Sequence, residues 1–166
     1  MIEKLLYPKE LKDVIRTLRD DGRLNENALK VYNRYAYGAI ISWPIVLYIV
    51  SFNPVIFYFV LILTPLLFRK AAQGSYRIYM VPYLDGEKVE GYVSDIKYYP
   101  YESIEYYVHS YEHDKTYCLF KGLEWNRIPR PQINDPLTIY TNPVKNKCAM
   151  PDHEYFKNRY CLDKNL

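Results

Sequence analysis

The feature that most constrains this chain is a long stretch without a charged side chain. Residues 35–68 contain no Asp, Glu, Lys, Arg or His, and Arg34 and Arg69 flank them. A helix needs about 20 apolar residues to cross the hydrocarbon core of a bilayer, whereas a single helix of this length would measure about 51 Å. The stretch is therefore too long for one span, and it argues against a wholly water-soluble globule.

A cluster of turn-forming residues divides the stretch into two arms. Ser51, Asn53 and Pro54 lie near its midpoint, and Pro54 disfavours helical geometry at Asn53 while it suits the first turn of a new helix. We therefore predict a transmembrane helical hairpin with arms at about 35–50 and 54–68. Each arm is short, so full crossing and a re-entrant hairpin both stay open. A hairpin buried in a soluble core is the alternative, but so small a chain has little protein with which to cover it.

The basic residues around the hairpin predict its orientation. Eight Lys and Arg side chains precede it and Arg69, Lys70 and Arg77 follow it, while the turn between the arms carries no charge. The positive-inside rule then predicts that both termini lie on the cytoplasmic side of an inner membrane, with membrane lipid as one partner. Three cysteines without paired spacing, Cys118, Cys148 and Cys161, agree with a reducing compartment.

The N-terminal segment, residues 1–34, has the pattern of an amphipathic helical arm. Leu11, Val14, Ile15 and Leu18 recur at helical spacing. Such an arm either packs its apolar face on the rest of the protein or binds anionic lipid headgroups. The arm carries six acidic side chains beside its eight basic ones, and this dilution of its positive charge favours packing on the rest of the protein.

Beyond Lys70 the hydrophobic period changes to that of strands. Short segments rich in β-branched and aromatic residues occur at 89–97, 104–111, 116–121 and 137–141. They predict a small antiparallel β-sheet or barrel-like domain over 69–148, and residues 149–166 form a tail with a short helix near 152–160. Segment 75–83 fits either a strand or a continued helix. The predicted fold class is an α+β membrane protein with N-terminal helices, a transmembrane hairpin and this β-domain.

Part of the strand region resembles a known kind of protein. The similarity covers about 55 residues, from 91 to 148, and lies in strand and turn motifs: Gly91-Tyr92-Val93, Tyr106-Tyr107-Val108, Tyr117, and Asp135 to Tyr140 followed by Asn142-Pro143. These residues resemble a family of bacterial membrane proteins of unknown function, in which membrane helices accompany a small β-domain. The resemblance implies a small β-domain accompanied by membrane helices. The matching residues include no catalytic residue.

The tyrosines are the strongest pointer to function. Eleven of the 20 lie between Tyr76 and Tyr117, and exposed tyrosine is enriched in protein interfaces. We expect a protein partner that binds Tyr98, Tyr99, Tyr101, Tyr106 and Tyr107 together with Arg127 and Arg130. Nucleic acid is disfavoured because residues 69–166 carry 14 basic and 13 acidic side chains.

Enzymatic motifs are lacking, so the leading prediction is a non-enzymatic accessory subunit of a membrane assembly that uses no cofactor. No phosphate-binding loop and no nucleophile elbow occurs. One alternative is an immunity protein that neutralises a toxin. The other is a metal-binding enzyme or sensor that uses His109, His113 and Cys118, with Glu112 or Asp114 as a further ligand. The cysteines lack the paired spacing that is typical of zinc sites, so we predict that the protein binds no metal.

Overall fold

The computed structural model describes two compact units of the chain. The described residues are 7, 9–34, 48, 55, 56, 58, 63, 66, 70, 73–100, 103–119 and 125–166. Unit 1 comprises Met1–Tyr76 together with Leu162–Asn165, and unit 2 comprises Arg77–Cys161 with Leu166.

Unit 1 begins with two helices, α1 (Lys9–Asp20) and α2 (residues 26–34). The predicted apolar face of α1 points inward, since Leu11, Ile15 and Leu18 are buried. Gly22 ends α1 with a φ of 66°, a left-handed conformation that glycine adopts without a steric penalty. Asn25 then caps α2 through its side-chain oxygen, which accepts a hydrogen bond of 3.1 Å from the Asn27 amide.

The end of the chain completes unit 1. Leu24 and Asp163 form an isolated antiparallel bridge, and the Asn25 amide donates to the Leu162 carbonyl at 2.7 Å. Asp163 is 5% exposed and forms an ion pair with Arg23. Residues 162–165 are thus bound to the α1–α2 turn by backbone and side-chain hydrogen bonds.

The membrane-related predictions need correction. Among the residues that the structure describes, none of the helices has both the length and the apolar character that a membrane crossing requires. This finding contradicts the predicted transmembrane fold class, the resemblance to a family of membrane proteins, and the inner-membrane location with spanning helices. The prediction depended on the apolar stretch 35–68, and the two arms themselves lie almost wholly outside the described residues. Of that stretch the structure describes Tyr48, Val55, Ile56, Tyr58, Leu63 and Leu66, which are helical and exposed.

Unit 2 is built on a closed five-stranded barrel. Its strands are β1 (Lys88–Tyr99), β2 (Ser103–Ser110), β3 (Lys115–Leu119), β4 (Pro136–Thr141) and β5 (Cys148–Pro151). They follow each other around the barrel in the order β1-β2-β3-β5-β4. The β3–β5 pair is parallel and the other pairs are antiparallel. A five-stranded Greek-key barrel with this order has the topology of the OB fold.

Strand β1 pairs with β2 on one side and with β4 on the other, and its pairing with β4 closes the barrel. Residues Lys88–Tyr92 pair with β4, and residues Gly91–Tyr99 pair with β2. A β-bulge between Val93 and Asp95 changes which side chains point inward. Val89 and Val93 are buried before the bulge, whereas Ile96 pairs with the buried Tyr106 after it. The bulge therefore determines which tyrosines of β1 face outward.

Short helices flank the strands of unit 2. A π-helix (Tyr76–Met80) and helix α3 (Val81–Asp85) precede β1, so the ambiguous segment 75–83 is helical. A 3-10 helix (Trp125–Arg127) lies between β3 and β4, and α4 (Glu154–Tyr160) follows β5. Trp125 packs between Tyr106 and Phe156, at ring-centroid distances of 4.3 Å and 5.0 Å. These aromatic contacts extend the barrel core to α4.

Candidate interaction surface on the barrel

The outer side of β1 and β2 carries a compact group of aromatic and charged side chains. Register pairs Lys97 with Glu105 and Asp95 with Tyr107, and side chains paired across a sheet lie on the same face. Tyr99, two residues after Lys97, lies on this face as well. We call Lys97, Tyr99, Glu105 and Tyr107 the outer aromatic surface.

Glu105 holds this surface together. Its Oε2 accepts hydrogen bonds from the hydroxyl groups of Tyr99 at 3.0 Å and Tyr107 at 2.8 Å. The Lys97 ammonium donates to the Tyr107 oxygen at 3.2 Å and lies 4.4 Å from the centroid of that ring. Three hydrogen bonds thus link the four side chains of this surface to one another.

The same hydrogen bonds keep the phenols protonated. The bond that Tyr99 donates to Glu105 raises the pKa of Tyr99, and the bond that Tyr107 donates to Glu105 raises the pKa of Tyr107 despite the opposing effect of Lys97. The bond to Tyr107 likewise raises the pKa of Lys97. At neutral pH the surface therefore presents two neutral phenols, one ammonium group and one carboxylate.

Cys118 on β3 borders this surface. It pairs in register with Tyr107, and burial, followed by a hydrogen bond to Glu105, raises the pKa of its thiol to about 12. A thiol that stays protonated is a poor nucleophile. Cys118 is thus a hydrogen-bond donor here, and its chemistry does not favour catalysis.

A second group lies where β1 leaves the barrel. Tyr98 is 72% exposed, whereas Tyr106 is only 1% exposed. Burial raises the pKa of Tyr106, the Tyr98 hydroxyl raises it further and the Arg130 guanidinium opposes the rise. Tyr98 and Arg130 thus both act electrostatically on the Tyr106 hydroxyl, and Tyr106 itself belongs to the core because its ring packs against Trp125.

Two further residues were predicted to bind the partner, Arg127 and Tyr101. Arg127 is exposed at the end of the 3-10 helix. Tyr101 lies outside the described residues. The structure thus joins Tyr99 and Tyr107 through Glu105, and it buries Tyr106, which is therefore not accessible to a partner.

The predicted metal candidates are separated by their contacts. His109 lies 3.3 Å from Thr116 Oγ1 and 3.3 Å from Asp114, whereas His113 lies 2.8 Å from the Tyr117 hydroxyl and 3.4 Å from Glu87. Cys118 interacts with Glu105. In the described part of the chain, His113 is grouped with Glu87 and Glu112 as candidate ligands, and this group includes neither His109 nor Cys118.

Sequence reasoning missed Lys97 and Glu105 as members of the surface. A glutamate at the start of a strand is by default a solvated charge. The signal was present in the two-residue period, since Glu105 and Tyr107 share one face of a strand. The cross-strand partner Lys97 required the register, and the bulge in β1 sets that register.

We found no protein-family model, no curated protein and no solved structure that matches this chain.

Proposed function

We propose that unit 2 is a non-enzymatic protein-binding module. Its contact region consists of the outer aromatic surface together with Tyr98 and Arg130. The observation that carries the proposal is the hydrogen-bonded arrangement of Tyr99 and Tyr107 around Glu105. Phenol rings held in this way lose little conformational entropy when a partner binds, and tyrosine and arginine dominate the energetics of interfaces.

Charge supports a protein rather than a nucleic acid as the partner. Residues 77–161 contain 11 Lys and Arg against 12 Asp and Glu, which gives a net charge of −1. Nucleic acid binding depends on neutralisation of phosphates by a basic surface. Barrels of this topology bind oligonucleotides in other proteins, but topology alone does not assign function. The predicted immunity role is one form of protein binding and stays a prediction.

Site-specific photocrosslinking tests the proposal directly. A benzophenone amino acid replaces Tyr99 in one variant and Tyr111 in another, and both are irradiated in cells that make the protein naturally. Tyr111 is a matched control because it is 63% exposed and lies in the β2–β3 turn. We expect one discrete protein adduct from position 99 that position 111 does not give, identified by mass spectrometry.

Affinity measurements with the purified partner then test whether Tyr99 contributes to binding. We expect Tyr99→Ala to weaken binding by about 2 kcal/mol, roughly 30-fold, as for an interface hot spot. Tyr111→Ala leaves the affinity unchanged. Equal adducts at both positions, a nucleic acid adduct, or an affinity that Tyr99→Ala does not alter would each contradict a protein-binding role for this surface.

A further inference from the structure

We propose that Glu87, Glu112 and His113 form a binding site for Zn²⁺ at one end of the barrel. The ligand atoms of these three side chains lie within 4.8 Å of one another. One imidazole and two carboxylates are an N/O donor set that zinc accepts, and three protein ligands leave a fourth position for water. The site is separate from the outer aromatic surface.

Backbone contacts hold each of the three ligands. Ser110 is fully buried, and its Oγ accepts hydrogen bonds of 3.3 Å from the amides of Glu112 and His113. These bonds define the turn between β2 and β3. Glu87 precedes β1, and its carbonyl accepts a bond of 2.9 Å from the amide of Thr141 on β4. Three strands of the barrel therefore converge on the site.

Tyr117, which is not itself a ligand, orients the imidazole of His113. Its Nδ1 lies 2.8 Å from the hydroxyl oxygen of Tyr117, a buried residue of β3. When Nδ1 carries the hydrogen, it donates to this oxygen and leaves the lone pair of Nε2 for a metal ion. An outer hydrogen bond that fixes the ring in this way is a regular feature of histidine ligands.

The distance between His113 and Glu87 agrees with zinc coordination. Bonds of 2.0–2.2 Å to zinc in a tetrahedron place two ligand atoms about 3.3–3.6 Å apart, and His113 Nε2 lies 3.4 Å from Glu87 Oε2. Glu112 is exposed, so rotation of its side chain closes the remaining gap.

Charge favours a divalent cation at this position. Two carboxylates lie together with one imidazole, and in the described part of the chain neither carboxylate forms an ion pair with a Lys or Arg. A neutral imidazole leaves two negative charges, which Zn²⁺ neutralises. This charge balance and the ligand geometry point to the same ion.

Isothermal titration of the purified chain, freed of any affinity tag, tests the site with Zn²⁺ and with Mg²⁺ as the hard-cation control. We expect one Zn²⁺ per chain and no saturable heat from Mg²⁺. His113→Ala and Glu112→Gln each weaken Zn²⁺ binding by at least about tenfold, and Tyr117→Phe weakens it by about 10- to 100-fold, as for other outer-shell partners.

Matched variants exclude other zinc ligands. His109→Ala removes the other histidine near the β2–β3 turn, and Cys118→Ser removes a thiol, so both should leave the affinity unchanged. Circular dichroism without zinc shows that each variant keeps its fold. An absence of saturable Zn²⁺ binding, or binding that folded His113→Ala and Glu112→Gln chains retain in full, would overturn the proposal.

Discussion

At the residue scale, Gly91 is a position in the barrel that leaves no space for a Cβ. It lies on β1, opposite Ser110 of β2. A Cβ at this position would lie 2.3 Å from the carbonyl oxygen of His109 and 3.0 Å from Val108 Cγ1. Backbone atoms cannot yield as a flexible side chain does, so the absence of a Cβ is what permits β1 and β2 to approach here.

Replacement of this glycine tests that interpretation. We expect Gly91→Ala to lower the free energy of unfolding by about 2–3 kcal/mol, because the strands must separate to relieve the overlap. Gly74→Ala is the control, since a Cβ there meets no atom within 4 Å. Chemical denaturation followed by circular dichroism measures both. A Gly91→Ala chain as stable as the wild type would show that β1 and β2 adjust without cost.

Single residues also show what sequence reasoning resolves and what it does not. The run from Tyr98 to Tyr101 and the pair Tyr106-Tyr107 indicated aromatics on both faces of a sheet. Which face is accessible depends on the bulge after Val93, and a bulge needs only one additional residue in an otherwise regular strand. Tyr106 was predicted as a surface residue although it is buried, and its burial follows from the regular alternation of β2, which sets it on the same face as Ile104 and Val108.

At the element scale, four of the five strands coincide closely with predicted segments, and β5 does not. The segments at 89–97, 104–111, 116–121 and 137–141 have long apolar or aromatic alternation. Strand β5 has four residues, ends in Pro151, and pairs with β3 through two positions only. A strand this short has no period to detect, and its parallel pairing with β3 depends on contacts distant in sequence.

The candidate site was predictable only in part for the same reason. Exposed Tyr99 and Tyr107 follow from composition and strand period, and the aromatic excess pointed to this region. Glu87 and His113 are 26 positions apart in the sequence, and the antiparallel pairing of β1 with β2, which sets Gly91 opposite Ser110, brings the start of β1 beside the β2–β3 turn. No local spacing motif records such a juxtaposition.

An ion-pair cluster links three elements of unit 2. Asp152, directly after β5, lies 2.7 Å from the ammonium group of Lys88 on β1 and 3.1 Å from that of Lys157 on α4. Burial raises the pKa of the Asp152 carboxyl, but hydrogen bonds from Lys88 and Lys157 outweigh this effect and lower the pKa below its usual value. The folded state thus favours the charged form of Asp152.

This shift predicts an acid-sensitive contribution to stability. Because the unfolded chain binds the proton more tightly, the contribution is present above the unfolded pKa of about 3.9 and is lost as pH falls through the lower folded pKa. We expect Asp152→Asn to reduce the stability difference between pH 7 and about pH 3, measured by urea denaturation. Glu154→Gln on α4 is the control, and an unchanged difference in Asp152→Asn would contradict the assignment.

At the scale of the whole molecule, the chain forms two units that are not consecutive in sequence. Unit 1 needs residues 162–165, which follow the whole of unit 2. Leu162 is fully buried, its carbonyl accepts from Asn25, and the Lys164 amide donates to the Arg23 carbonyl at 2.9 Å. Residues at the far end of the chain therefore stabilise the turn between α1 and α2.

Two leucines four positions apart make this dependence measurable. Leu162→Ala removes a fully buried side chain, so we expect a loss of about 2–5 kcal/mol and faster hydrogen exchange at the Asn25 and Lys164 amides. Leu166 is 44% exposed, and Leu166→Ala should change stability by less than about 0.5 kcal/mol. If Leu162→Ala left exchange at Asn25 unchanged, the α1–α2 turn would be stable without the chain end, and residues 162–165 would be an appendage to unit 1 rather than part of its fold.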